Sequence, residues 1–450
     1  MSDSQKAFGE ENLGFLLRKQ AVPASVGILV MSIYGIVDTL FVGRYVGSLA
    51  IGAITVILPI TFLISSIGMA IGVGGASILS RAMGEDNWSK VRKTFGNQLS
   101  LTVVISIFFV LMAAFFQTPI LNAFGGKGDV LPYAQEYFAI LLPSIPALAW
   151  AMMSNNVIRA EGHPRIAMFT LLIPAICNLI LDPILIVVLD MGIAGAAWAT
   201  SISYFASALF TLNFFFRGPS EMSLTRNCIQ PDWSLIREIG GLGSVTLARQ
   251  GTISLLSVVL NNSLFAFGGG MALSSYGIIS RLLMLVNFPV LGITQGYVPI
   301  LGYNFGARLY NRVLSLSKLA LIWASAIAFL IFALIMIFTY PLVGIFTEDE
   351  ELINLTVPAL RWVFGAAPLL ATSLLSSAFF QAIGEARRAL VLALSKQGFF
   401  LIPLVLVLPH FFGIDGVWWS FPIADIGAAL LSWYFIVRSP VLNGEIQRKK

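Results

Sequence analysis

The chain has 450 residues, of which 57% are hydrophobic and only 11% charged, whereas about a quarter of a soluble domain is charged; that balance excludes a soluble globular protein. The formal net charge is +5, but the basic residues lie between long apolar runs, where membrane sorting accounts for them and nucleic-acid binding does not. The two cysteines (Cys177 and Cys228) and two histidines (His163 and His410) make neither a disulfide framework nor a dedicated structural metal site.

Residues 1–20 are polar and mixed in charge, and the apolar run after them is too long for a signal-peptide core, so the chain reads as starting in the cytoplasm. From there, runs of about 20 apolar residues recur, at 21–43, 51–79, 99–117, 133–158, 166–189, 193–216, 239–267, 274–301, 314–340, 357–382, 389–411 and 416–437. This predicts an all-α polytopic membrane protein with twelve transmembrane helices. Lys and Arg crowd alternate loops, among them Arg81, Lys90, Arg92 and Lys93; Arg159 and Arg165; Arg217, Arg226 and Arg237; and Arg438, Arg448, Lys449 and Lys450. The other loops hold little beyond Arg44, Lys127 and the acidic run 348–351. Positive-inside sorting therefore puts both termini in the cytoplasm of a multi-pass protein of the cell (inner) membrane.

The sequence also repeats. Residues 158–167 resemble residues 380–389, with Gly162 and Gly384 spaced by 222; Gly84 and Gly306 have the same spacing, as do Pro146 and Pro368. Gly195 and Gly416 are one residue closer. Six spans per half is an even number, so the halves would be parallel bundles related by a pseudo-two-fold axis along the membrane normal, with a substrate cavity between them. The expected domains are a lobe at 1–216, a cytoplasmic linker at 217–237 and a second lobe at 238–450. The repeat equivalents of Asp38, Asn178 and Asp182 are Leu260, Phe400 and Leu404. The second half thus lacks the carboxylates and carries Arg249 and Arg281 in spans seven and eight, which would bind an anionic group or pair with backbone carbonyls. If the protein uses an ion, the ion site belongs to the first lobe.

Charged groups inside a membrane span usually mark an ion or proton pathway. Asp38 lies in the outer half of span one and Asp182 in the outer half of span five; helical spacing puts Tyr34 one turn from Asp38 and Asn178 one turn from Asp182. Tyr137 of span four and Thr200 of span six fall at similar depth. Two carboxylates sharing a poorly hydrated pocket resist losing both protons, which makes a proton acceptor that a cation can share. Pro23 enters span one and permits a kink there. Asn155 and Asn156 either line the cavity or serve packing, and Met31 suits an adaptable apolar wall or ordinary core. The glycine-rich stretch 68–75 permits close helix contact.

Pro23 and Tyr34 with Asp38, the loop 158–162 with Pro164, Asn178 with Asp182-Pro183, and the stretch 195–200 together resemble the MATE family of multidrug and toxic-compound exporters, in its DinF/MepA-like branch. The resemblance implies an antiporter that expels small amphipathic, often cationic compounds. Its coupling ion would be H⁺ or Na⁺, and it would need no other cofactor. It implies a cation site at Asp38, Asp182, Asn178, Thr200 and Tyr137, with Na⁺ held by oxygens of Asp38, Asn178, Asp182 and Thr200, and bending of span one at Pro23. A monomer in the bilayer is expected. The alternative is a lipid-linked oligosaccharide flippase of the same broader superfamily, which wants more cationic groups than Arg249 and Arg281 provide. An intramembrane aspartyl protease is rejected, because neither Asp38 nor Asp182 has the flanking residues that chemistry needs.

Overall fold

The computed structural model describes residues 3–222, 228 and 230–441; Arg226, Arg448, Lys449 and Lys450, assigned above to cytoplasmic segments, lie outside the described residues. Among the described residues helix is the only regular secondary structure. The long apolar helices are α1 (Leu13–Tyr45), α2 (Ser48–Gly84), α3 (Trp88–Phe115), α4 (Val130–Ala160), α5 (Pro164–Val188) and α6 (Gly192–Arg217), followed by the segment Trp233–Gly306, then α9 (Tyr310–Ile337), α10 (Glu350–Ile383), α11 (Ala386–Phe412) and α12 (Ile414–Val437). Gly269, with φ 64° and ψ −160°, breaks the segment Trp233–Gly306 into α7 (233–268) and α8 (270–306). The break between α7 and α8 is a single residue, Gly269, because glycine adopts a positive φ without a Cβ clash. Eleven apolar segments, one of them broken in two, make the twelve spans. Val104, Phe108 and Leu111 of α3 are exposed one helical turn apart, the pattern of a face turned to lipid.

The chain divides into two compact units, Met1–Glu10 with Val26–Gly243, and Glu11–Ser25 with Ser244–Lys450. These are not the boundaries at 216 and 238 expected from the loops. Glycines explain the difference. In the first unit, a Cβ on Gly74 of α2 would sit 2.4 Å from the Ile239 carbonyl oxygen, and one on Gly243 would sit 2.7 Å from that of Ala70. In the second, a Cβ on Gly296 of α8 would sit 2.8 Å from the Ala21 nitrogen, and one on Gly292 would meet Ser25. Backbones that close draw the first turns of α7 into the first unit, and those of α1 into the second. Gly74 and Gly296 are again 222 residues apart.

The repeat extends to backbone conformation. Left-handed φ values occur at Gly47 and Gly269, at Asp86 and Arg308, at Gly162 and Gly384, and at Gly192 and Gly413; the first three pairs are spaced by 222 and the last by 221. A shared hydrogen bond recurs too: Asn155 Nδ2 donates to the Ala167 carbonyl in the first unit, and Ser377 Oγ donates to the Ala389 carbonyl in the second.

Within the first unit α2 packs closely on α4. A Cβ added at Gly68 would lie 2.7 Å from the Ala149 carbonyl oxygen, and one at Gly72 would lie 2.9 Å from Met153 Cα. The glycine-rich stretch thus serves close helix packing. Near the C-terminal end of α2, Arg81 Nη2 binds Glu238 Oε1 at 2.8 Å, tying α2 to the start of α7. The buried Glu161 carboxylate, between α4 and α5, accepts from the Ser220 hydroxyl at 2.9 Å and the Glu221 N–H at 3.1 Å. Burial pushes the Glu161 carboxyl up to about 8, against the opposing pull of those hydrogen bonds.

Two outcomes follow from this packing. Gly68→Ala and Gly72→Ala should each lower the melting temperature of the purified protein by several degrees, since overpacking costs about 1–3 kcal/mol, whereas Gly251→Ala, with open space around its Cβ, should not. For Glu161 the folded carboxyl holds its proton more tightly than the unfolded one, so its stabilisation is complete below about pH 4.5 and is lost as pH rises through about 8. Melting curves between pH 5 and pH 8.5 should show a decline of a few degrees in the parent that Glu161→Gln flattens.

Candidate cation site in the first unit

Asp38 occupies α1 seven residues before its end, and Asp182 the last α-helical position of α5 before a wider turn at Pro183–Val188. Pro183 has no N–H to donate to the preceding turn. The helix responds by widening, with the Leu189 N–H reaching the Ile184 carbonyl five residues back, a π-type turn of the sort that accumulates at functional positions. The Asp38 and Asp182 carboxyl groups approach within hydrogen-bonding reach of each other. Asp182 is buried and Asp38 half-buried. Two carboxylates that close repel unless a proton or a cation lies between them.

The remaining polar groups converge on Thr200. Its hydroxyl donates to the Ala196 carbonyl one turn back, at 3.0 Å. That leaves its oxygen to accept from Asn178 Nδ2 at 3.3 Å and from the Tyr137 hydroxyl, also at 3.3 Å. Since a hydroxyl has one proton and two lone pairs, the direction of all three bonds is set by the first. Asp38 Oδ1, Asp182 Oδ1 and Asn178 Oδ1 are buried and have no hydrogen-bond partner among the described residues. Three buried oxygens without donors suit a hard cation or a proton. These oxygens are of the type that holds Na⁺ as well as H⁺, although among the described residues no group of three or more His, Cys, Asp or Glu that could hold a metal ion occurs.

In front of the acids lies a cavity of about 190 Å³. Asp38, Tyr34, Met31, Tyr137 and Thr200 line it, together with Met152 and Tyr204. Asn178 and Asp182 stand behind this wall rather than in it. Asn155 and Asn156 do not line it. Asn155 turns away, donating to Ala167 and Thr170 of α5 and accepting from Arg159, so it braces α4 against α5. Asn156 bonds the Met152 carbonyl of its own helix. For both, the packing role is the one the structure supports. Pro23 lies inside the unbroken helix α1, two residues before the chain passes from the second unit into the first.

Three residues escaped the sequence reading. Tyr204 is one turn from Thr200 on α6, a spacing that would have exposed it. In the second unit Asp425 of α12 is buried and pairs with Lys396 of α11 at 2.6 Å. The second half therefore does hold a membrane-depth carboxylate. A repeat offset of 222 taken only from the first half's acids could not find it, because Asp425 corresponds at 221 to Tyr204. Lys396 likewise joins Arg249 as a cation of the second half, whereas Arg281 is exposed.

Twelve apolar spans, with a carboxyl pair and a cavity in the first unit, define a polytopic membrane protein whose fold is that of solved MATE transporters. The structure superposes on a MATE transporter solved in a bent conformation with a TM-score of 0.93 at 22% identity, both chains covered completely. It superposes on an outward-facing multidrug resistance MATE family transporter of the MOP superfamily with a TM-score of 0.91 at 22% identity, again over 100% of both chains. The MatE family profile matches residues 23–184 and 245–407, and the chain belongs to the MatE family. It is 29% identical to the multidrug export protein MepA of Staphylococcus aureus (strain MSSA476) over 439 residues, 97% of this chain and 96% of that protein. The two matched profile segments begin 222 residues apart, which is the repeat spacing.

Thr200→Val should lower stability by about 1–3 kcal/mol, the cost of stranding buried donors. Tyr137→Phe in the same chain should restore part of it, so thermal melts of the two single variants and the double variant should not be additive.

Proposed function

We propose that the protein is a secondary active antiporter of the cell membrane, monomeric and with both termini cytoplasmic, that exports amphipathic, often cationic compounds in exchange for H⁺ or Na⁺. The cargo leaves chemically unchanged, so no catalytic residue is assigned. The lobe at 1–216 carries the cation site, residues 217–237 link it to the lobe at 238–450, and Asp38 and Asp182 are the coupling pair. The single observation that carries this reading is the contact between the Asp38 and Asp182 carboxyls beside a cavity, with unpartnered oxygens on Asp38, Asp182 and Asn178. The relationship to a protein named for multidrug export supports the cargo class.

The physics of exchange runs through charge. A proton or Na⁺ between the carboxyls removes their repulsion, and its departure leaves charge that must be met by another cation or by water. A ligand shifts a conformational equilibrium only by its differential affinity for the two states. A site whose net charge changes on cation binding provides such a difference both for the coupling ion and for a cationic cargo. Asp38 faces the cavity, so it meets the cargo; Asp182 sits behind it, so it tunes Asp38. Thr200, Asn178 and Tyr137 hold α4, α5 and α6 together around the pair and exchange hydrogen-bond partners as its charge changes. Tyr34 and Met31 offer the cargo an aromatic and a soft apolar surface. Pro23 removes the N–H that would bond the turn before it, which gives α1 a point at which to bend as the cation site fills.

The test is ethidium efflux in everted membrane vesicles under an imposed proton gradient and, separately, an imposed sodium gradient. Asp38→Asn should abolish gradient-driven efflux while the protein still inserts at parental amounts, and Asp182→Asn should impair it more than the exposed-face control Leu179→Ala. Full gradient-driven efflux in the Asp38→Asn protein rejects the reading, and the gradient that drives the parent identifies the ion.

A further inference from the structure

A cavity in the second unit measures about 530 Å³, within the range of sites for drug-sized ligands. Its wall repeats that of the first unit's cavity. Ile253, Leu370 and Leu374 line it where Met31, Leu148 and Met152 line the other, at a spacing of 222, and Asp425 lines it where Tyr204 does, at 221. This is a site built twice by the same fold, and the two copies differ in charge. The first is lined by Asp38, with Asp182 behind it. The second is lined by Arg249, Lys396 and Asp425, two cations and one anion.

Lys396 and Asp425 neutralise one another across 2.6 Å. The remaining charge is Arg249, near the middle of α7. Among the described residues its one polar partner is the Ser377 hydroxyl, to which Nη2 donates across 3.3 Å. A guanidinium presents five N–H donors in a planar fork, so most of its capacity is directed elsewhere, and Arg249 borders the cavity. A cation at membrane depth is costly without a counter-charge, and a carboxylate matches the fork in two parallel hydrogen bonds. Around it the wall is largely apolar and aromatic. Tyr276 and Phe421 pack with ring centroids 6.1 Å apart, and Phe288 and Met284 complete the surface.

We propose that the cavity of the second unit is a binding site for the carboxylate end of amphipathic organic anions and zwitterions, with Arg249 as its counter-charge and the Tyr276–Phe421 wall holding the apolar body. The inference deepens the exporter reading by adding a substrate class, and it rests on that reading only for the claim that the bound compound is cargo. The Lys396–Asp425 pair keeps the site at a single net positive charge, so one ionised carboxylate neutralises it.

The test compares two dyes that differ by one methyl group: rhodamine 110, which carries a free carboxylate, and rhodamine 123, its methyl ester. Each is titrated into the purified full-length protein in detergent and followed by fluorescence anisotropy, with no gradient present. Arg249→Gln should weaken binding of the carboxylate dye by about tenfold or more, the loss of a charge-assisted hydrogen-bond pair, and leave the ester within about twofold. Arg281→Gln, which removes an exposed arginine, should leave both unchanged. Should Arg249→Gln not fold, Arg249→Lys keeps the charge and loses the fork, and it should weaken the carboxylate dye alone, by a smaller factor. Equal effects on the two dyes, or none on the carboxylate dye, overturn the proposal. The Leu179→Ala protein, altered on an exposed face of the first unit, should bind the carboxylate dye as the parent does. A failure of the coupling mechanism therefore appears in vesicle efflux, and a failure of this site appears in the dye comparison.

Discussion

Two carboxyl groups in contact inside a membrane protein form the constraint around which the first unit is arranged. In a low-dielectric setting their mutual repulsion is far larger than in water, and no basic side chain lines the cavity beside them. The surroundings instead supply oriented neutral dipoles. Thr200 spends its one proton on the Ala196 carbonyl and so can only accept from Tyr137 and Asn178. The oxygens left over on Asp38, Asp182 and Asn178 point to a site completed by a small cation. Pro183, immediately after Asp182, enforces the wide turn that ends α5 there. In the proposed exchange, a proton or cation between the carboxyls relieves their repulsion, and that difference is what would bias conformation.

Internal repetition explains much of the rest. A chain made of two similar halves inherits the same left-handed turns, the same glycine contacts and the same cavity twice. The loop hydrogen bond from Asn155 to Ala167 survives in the second half as Ser377 to Ala389, although the donor has changed from an amide to a hydroxyl. Geometry has been conserved between the copies where the backbone needs it. The groups facing the cavities have diverged to opposite character, the Asp38 carboxyl in one and an excess arginine in the other. Such divergence leaves two cavities of different charge on one architectural plan.

The glycines of α2 and α8 show how close packing assigns segments to units. Gly74 admits the start of α7 into the first unit, and Gly296 admits the start of α1 into the second. The unit boundary therefore crosses α1 within a continuous helix, close to Pro23. Loop position alone would assign each helix whole to one half, which is why the boundaries expected at 216 and 238 differ from the compact units.

Composition, hydrophobic run length and loop charge determined by themselves that this is a helical membrane protein with twelve spans, because backbone groups in lipid must be satisfied within a helix and each crossing needs about 20 apolar residues. The repeat spacing was legible as well, since Gly162 and Gly384 sit where only a residue tolerant of positive φ fits easily. Asp38 and Asp182 stood out because acids are rare in apolar runs, and helical spacing attached Tyr34 and Asn178 to them. What only the tertiary structure decided was which side chains meet: that Asn155 braces α5, that Thr200 is the shared acceptor, that Asp182 lies behind Asp38, and that Lys396 and Asp425 close on each other. Periodicity fixes a residue's face and depth on its own helix, whereas the rotation of each helix against its neighbours is set by packing across residues far apart in the chain.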